Sequence, residues 1–131
     1  MVDALRMARQ WLVPAGHIVD FHPTAAIATI HVGGSEAGPV DQGRASARHQ
    51  AATDAIATAI GDRLLTLQDA LEFEFWLHAD SLEELDAHIR DNWRDSRIGS
   101  ATLARARELQ RQLDTPLVSV RERVVATRLG S

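Results

Sequence analysis

The chain has 131 residues, 45% hydrophobic and 24% charged, which suits one compact domain and is ordinary for a folded protein rather than a disordered one. It has no cysteine, and all 14 basic residues are arginine, so disulfides, thiolate catalysis, cysteine-ligated metals, lysine Schiff bases and P-loop lysines are excluded. The formal net charge of -4 argues against nucleic-acid binding, no apolar run approaches the ~20 residues of a membrane span, and no signal-peptide core opens the chain; a cytoplasmic protein without a membrane partner is expected.

Met1–Pro23 reads as an amphipathic helix, a turn and a buried strand, the kind of unit found in the middle of an alternating α/β fold. Asp3 is placed to cap a helix with the apolar stripe Leu5, Ala8, Trp11 and Leu12, which Pro14 and Gly16 stop. His17–His22 follows as a short, nearly continuous apolar run with Ile18, Val19 and Phe21, the pattern of a buried strand. Pro23-Thr24 breaks it, Ala25–Val32 reads as a second strand, and Gly33–Gly38 as a loose loop. From Gln42 to Ile60 the spacing of Ala45, Ala52, Ile56, Ala59 and Ile60 predicts a helix, ended by Gly61.

Leu71–Ala79 is the clearest strand, with Leu71, Phe73, Phe75, Leu77 and Ala79 on a core face and Glu72, Glu74, Trp76, His78 and Asp80 on the other. An aromatic as large as Trp76 on a polar face calls for a cover, and a helix over it is favoured to an interface. Ser81 and Glu84 form a capping box for a helix with Leu82, Leu85, Ile89 and Trp93 inward. Ser100 caps the next helix, carrying Leu103, Ala106, Leu109 and Leu113, and Pro116 ends it. Leu117–Leu129 is a long last strand with Val118, Val120, Val124 and Ala126 on one face. Gly61–Trp93 carries nine acids against two arginines, and Arg94–Ser131 eight arginines against four acids. This contrast reads as two solvated faces of opposite sign or as charge complementarity that fixes docking.

The stretch Ala4-Leu5-Arg6 through Trp11-Leu12-Val13-Pro14-Ala15-Gly16-His17-Ile18-Val19-Asp20-Phe21-His22-Pro23 resembles the C-terminal half of class I, S-adenosylmethionine-dependent methyltransferases. In that family a helix leads through a Pro-Gly-Gly turn into the fifth sheet strand; here the turn reads Pro14-Ala15-Gly16. Leu71–Ala79 resembles the sixth strand and Leu117–Leu129 the seventh, which returns antiparallel between the fifth and sixth. The closing Arg121–Leu129 is similar to the tail of a group of actinobacterial methyltransferase-like proteins. The family's glycine-rich first loop and ribose-binding acid have no counterpart here, so no cofactor residue carries over. The resemblance implies that the isolated chain holds no cofactor, and that S-adenosylmethionine binds only where a partner supplies the glycine-rich half.

Six histidines, at 17, 22, 31, 49, 78 and 88, invite a metal site, but no two show the i,i+2 or i,i+4 spacing of a ligand pair, and no metal is expected. Asp20 and His22 share one strand face and are the candidate catalytic pair, the carboxylate able to set the imidazole tautomer. Strand-end Asp and His before a proline also serve as turn formers. Pro23, Trp76 and His78 are the candidate substrate-binding residues. There is no nucleophile elbow, and Gly33-Gly34-Ser35 reads as a flexible hairpin or loop rather than an anion cradle.

The expected architecture is one domain over 1–131, an α/β fold (α+β if stand-alone) with a mixed sheet of about four strands and the order α-β-β-α-β-α-α-β. The leading functional expectation is a methyltransferase-like half-domain without its own cofactor site, acting as an associating subunit or substrate-side half. Its partner is a second copy, forming a dimer through the strand at His17–His22, or a complementary methyltransferase half. A small enzyme or ligand-binding domain with a pocket near Asp20 and His22, and a structural dimerisation module, stand as alternatives.

Overall fold

Val118–Gly130 places valine at 118, 120, 124 and 125 and has no proline, a composition that favours extended backbone. In a computed structural model describing residues 2–131, this stretch is the strand around which a five-stranded antiparallel open sheet is organised. Met1, the first residue of the expected opening helix, lies outside the described residues. In chain order the elements are α1 (Val2–Gln10), β1 (His17–Pro23), β2 (Thr29–Val32), β3 (Ser35–Pro39), α2 (Ala45–Gly61), β4 (Thr66–Ala79), α3 (Leu82–Asn92), α4 (Ser100–Leu113) and β5 (Val118–Gly130).

The strand order is β1-β5-β2-β3, with β4 also paired to β5. The sheet therefore has five antiparallel strands rather than about four in a mixed sheet, and the extra one, β3, occupies the stretch expected to be a loop. Gly33, at φ 60°, makes the tight turn that sets Val32 opposite Ser35, and the returning strand follows from that register. Its glycine and proline content hid it, because strand propensity there is low and pairing with β2 supplies the order.

The described residues divide into two compact units. The first holds the residues through Ala25, Ala47–Phe73 and Val124–Ser131. Its core joins Leu5 of α1, Ile56 and Ala59 of α2, Leu65 and Leu129, with Leu12, Ile18, Ile60 and Leu64 packed against them. The alanine-rich face of α2 allows this close approach. Here β1 pairs β5 from His17↔Gly130 to Pro23↔Val124. The strand is not buried on both sides as its apolar run suggests: Ile18 packs on the core, whereas Val19 and Phe21 are 48% and 63% exposed. Leu71 of β4 is 62% exposed, and Trp11, expected in the helix stripe, is 76% exposed because the helix ends at Gln10.

The second unit holds Ala26–Ser46 and Glu74–Arg123. Ile30, Val32, Val118 and Val120 form one apolar layer, and Leu82, Leu85, Ile89, Ala106 and Leu109 of α3 and α4 form the other. Each fully buried Leu or Ile of this kind contributes roughly 1.5–3 kcal/mol. Ser81 accepts the Glu84 N–H at 3.1 Å, as the capping box requires, and the Glu84 carboxylate accepts the Asp80 N–H at 3.1 Å. Gly99, not Ser100, is the N-cap of α4. Thr102 takes the inward place instead of Leu113, donating its hydroxyl to the Pro39 carbonyl at 2.9 Å.

Along β5 the buried positions switch from even (Val118, Val120) to odd (Thr127, Leu129), so Val124 and Ala126 are only half-buried. The single face expected for all four apolar residues does not hold: Val118 and Val120 are buried, whereas Val124 and Ala126 are not. In β4 the less exposed positions, Phe73, Leu77 and Ala79, keep one parity, and Phe75 on that same expected core face is exposed.

Candidate functional site

In the first unit, the period-2 geometry of β1 sets Asp20 and His22 on the face that meets α2. His22 Nδ1 lies 2.5 Å from Asp20 Oδ2, and His22 Nε2 lies 2.9 Å from Thr53 Oγ1. A carboxylate accepts only, so Nδ1 carries the proton that it donates to Asp20. In the neutral ring Nε2 is then an acceptor for the Thr53 hydroxyl. Thr53 has a second acceptor, the His49 carbonyl one helical turn earlier, at 3.3 Å. His22 is buried and Thr53 is exposed, so the three residues form a hydrogen-bonded line from a half-buried carboxylate to a surface hydroxyl.

His49 stands beside this line. Its ring donates to the Thr24 carbonyl, and its Nδ1 is buried without a hydrogen-bond partner. Burial pushes the His49 pKa below 6.5, with Arg48 and His22 adding to the fall against the Thr24 bond. Its imidazole is therefore neutral at pH 7. Such an arrangement can accept a proton at His22, hold the resulting imidazolium on Asp20, and pass hydrogen bonding outward through Thr53.

The second unit gathers a different set. On the sheet face opposite its apolar core, Thr29 and His31 of β2 stand opposite Arg121 and Ser119 of β5, while Glu74, Trp76 and His78 follow along β4. The Trp76 ring meets His31 edge-on at 4.9 Å and lies parallel to His78, 10° apart, at 6.4 Å. The Arg121 guanidinium is 5.9 Å from the Trp76 ring centre, 3.6 Å from Glu74 and 4.0 Å from Glu36. His78 Nδ1 is 2.5 Å from Ser119 Oγ, and His31 Nε2 is 2.7 Å from Thr29 Oγ1. Burial lowers the His31 pKa, and Arg121 lowers it further against Glu36 and Glu74. Trp76, 38% exposed, thus takes its ring neighbours from the strands rather than from the covering helix expected of it.

The four expected site residues with side-chain chemistry accordingly fall into two groups: Asp20 and His22 with Thr53, and Trp76 and His78 with His31, Ser119 and Arg121. Pro23 ends β1 opposite Val124. Thr53 had one available signal, a hydroxyl four residues after His49 on a helix otherwise rich in alanine. Ser119 and Arg121 had another, their alternation with Val118 and Val120. Among the described residues no group of three or more His, Asp or Glu side chains is disposed to hold a metal ion, and no helix is long and apolar enough to cross a membrane. Comparison with protein-family models, curated proteins and solved structures finds no match to this chain.

Proposed function

We propose that the chain is the substrate-side half of a class I methyltransferase-like fold and works in association with a half that carries the glycine-rich cofactor loop, on the same polypeptide or on another. The observation that carries this reading is the pairing of β5 with both β1 and β4, antiparallel to each. That is the arrangement the resemblance implies for the fifth, seventh and sixth strands. A second feature supports association: β1 stands at one end of the strand order, with β5 its one paired strand among the described residues. On that edge strand Val19 and Phe21 are exposed, an apolar surface that an unaccompanied sheet does not usually present. In this reading S-adenosylmethionine supplies the methyl group and is held by the other half. Asp20 and His22, near the carboxyl end of β1 where ligands collect in α/β sheets, take the proton that the methyl acceptor gives up.

The test is titration calorimetry with S-adenosylmethionine, first on this chain alone and then on its complex with a glycine-rich half. No binding alone and a one-to-one complex in the assembly are expected, with Phe21→Glu abolishing assembly but not folding. Tight binding by the isolated chain, or assembly indifferent to Phe21→Glu, overturns the reading.

The same edge also favours self-association as a two-fold dimer, a second reading in which β1 pairs with its own copy. Light scattering separates the two: a mass near twice 14.4 kDa for the chain by itself supports the dimer.

A further inference from the structure

We propose that the sheet face carrying Trp76 and His78 binds an uncharged planar aromatic or heteroaromatic ring, seated between these two side chains. The two rings lie 10° from parallel with centres 6.4 Å apart. The distance between centres is the largest gap the two faces can have, and a flat ring between them needs about 7 Å, two van der Waals contacts of about 3.5 Å each, so the pair opens to admit it. Each wall is held by its own partners. His78 is fixed by Ser119 at 2.5 Å, and Trp76 by the edge of His31 at 4.9 Å and by Arg121. A slot whose walls are already oriented loses little side-chain freedom when it is filled.

The charges around the slot decide what enters it. Arg121 is the nearby cation, and Glu74 at 3.6 Å and Glu36 at 4.0 Å offset it. His31 is buried and neutral at pH 7, so it adds no positive charge. Nothing in this set rewards an anion, and two carboxylates beside the slot oppose a phosphate backbone; stacking selects the ligand, not charge. The inference is independent of the methyltransferase-like reading, because it concerns a face that contributes nothing to that reading's sheet order or edge.

The probe is coumarin, a neutral fused ring, titrated into the intact chain at pH 7.5 and followed by proton and nitrogen resonances of the three tryptophan indoles and the histidine rings. Saturable upfield shifts of Trp76 and His78 are expected, with a dissociation constant of about 1 mM or below and with Trp11 unmoved. His78→Ala weakens binding about fivefold, Ser119→Ala weakens it in the same direction, and Trp76→Phe retains it. Shifts that grow in proportion to coumarin without saturating overturn the proposal, as does equal affinity in His78→Ala. A single-stranded oligothymidylate that saturates the same resonances as tightly as coumarin also overturns it, since the site then selects charge.

Discussion

His22 Nε2 sits 2.9 Å from Thr53 Oγ1, joining a residue near the end of β1 to the middle of α2, while Nδ1 of the same ring is committed to Asp20 at 2.5 Å. Both nitrogens of a buried imidazole are thereby satisfied, and the Thr53 hydroxyl answers to the protonation of His22. With the ring neutral it donates to Nε2. With the ring charged, Nε2–H donates to Thr53, and the hydroxyl turns to the His49 carbonyl at 3.3 Å.

Removing that hydroxyl tests the line directly. Thr53→Val keeps the shape but leaves buried Nε2 without a partner, which costs about 1–3 kcal/mol of stability. Thr53→Ser keeps the oxygen and costs about 0.5 kcal/mol or less. Urea unfolding of the two variants beside the parent is the measurement, and equal losses are the result that contradicts the relay.

Two apolar residues of the sheet that differ in burial predict opposite mutational outcomes. Ile30 is fully buried among α3 and α4 side chains, so Ile30→Ala costs about 2–5 kcal/mol. Phe21 is 63% exposed, and Phe21→Ala costs about 1 kcal/mol or less in the monomer. Denaturant midpoints at a concentration low enough to exclude association provide the comparison. A cost for Phe21 that grows with protein concentration indicates an occupied edge.

Periodicity made the helices legible. Leu82, Leu85 and Ile89 are buried as their spacing requires, and Ser81 caps the helix they belong to. Asp20 and His22 were legible as a pair because they stand two residues apart on a strand. The rest depended on tertiary context. β3 is ordered by its register with β2 rather than by propensity, and β5 exchanges its buried parity midway, which no single period describes. Thr53 joins His22 across 31 residues, and Arg121 reaches Glu74 across 47; such separations leave no local trace.

Acid is expected to weaken the fold through His31 and His49. Burial is the first cause of each shift, and both folded pKa values lie below the reference of 6.5. The unfolded chain therefore binds more protons than the folded one as pH falls from 6.5 toward the folded values. The stability these two residues contribute is present above pH 6.5 and is lost through that window. Urea midpoints at pH 7.5 and pH 5.5 measure the fall, and the double variant His31→Gln, His49→Gln should show a smaller difference between the two. An unchanged difference contradicts the assignment to these rings.

The turn before β1 supplies the last prediction, and here the sequence and the backbone meet at one residue. Ala15 has φ 64°, in the left-handed region, where its Cβ is strained against the backbone at a cost of roughly 1–2 kcal/mol. Ala15→Gly removes the clash but gives the unfolded chain more freedom, which returns about 0.4–1 kcal/mol of the gain. A net stabilisation of up to about 1 kcal/mol is expected. Gly16 is the control in the same turn. A Cβ built there meets the Val13 carbonyl oxygen at 2.9 Å and Leu12 Cδ2 at 3.2 Å, so Gly16→Ala forces the chain apart just where Leu12 packs on the core. It is expected to destabilise by about 1–3 kcal/mol. Thermal and urea melts of the two variants should therefore move in opposite directions. A loss of stability in Ala15→Gly would show that the turn is not strained at that position.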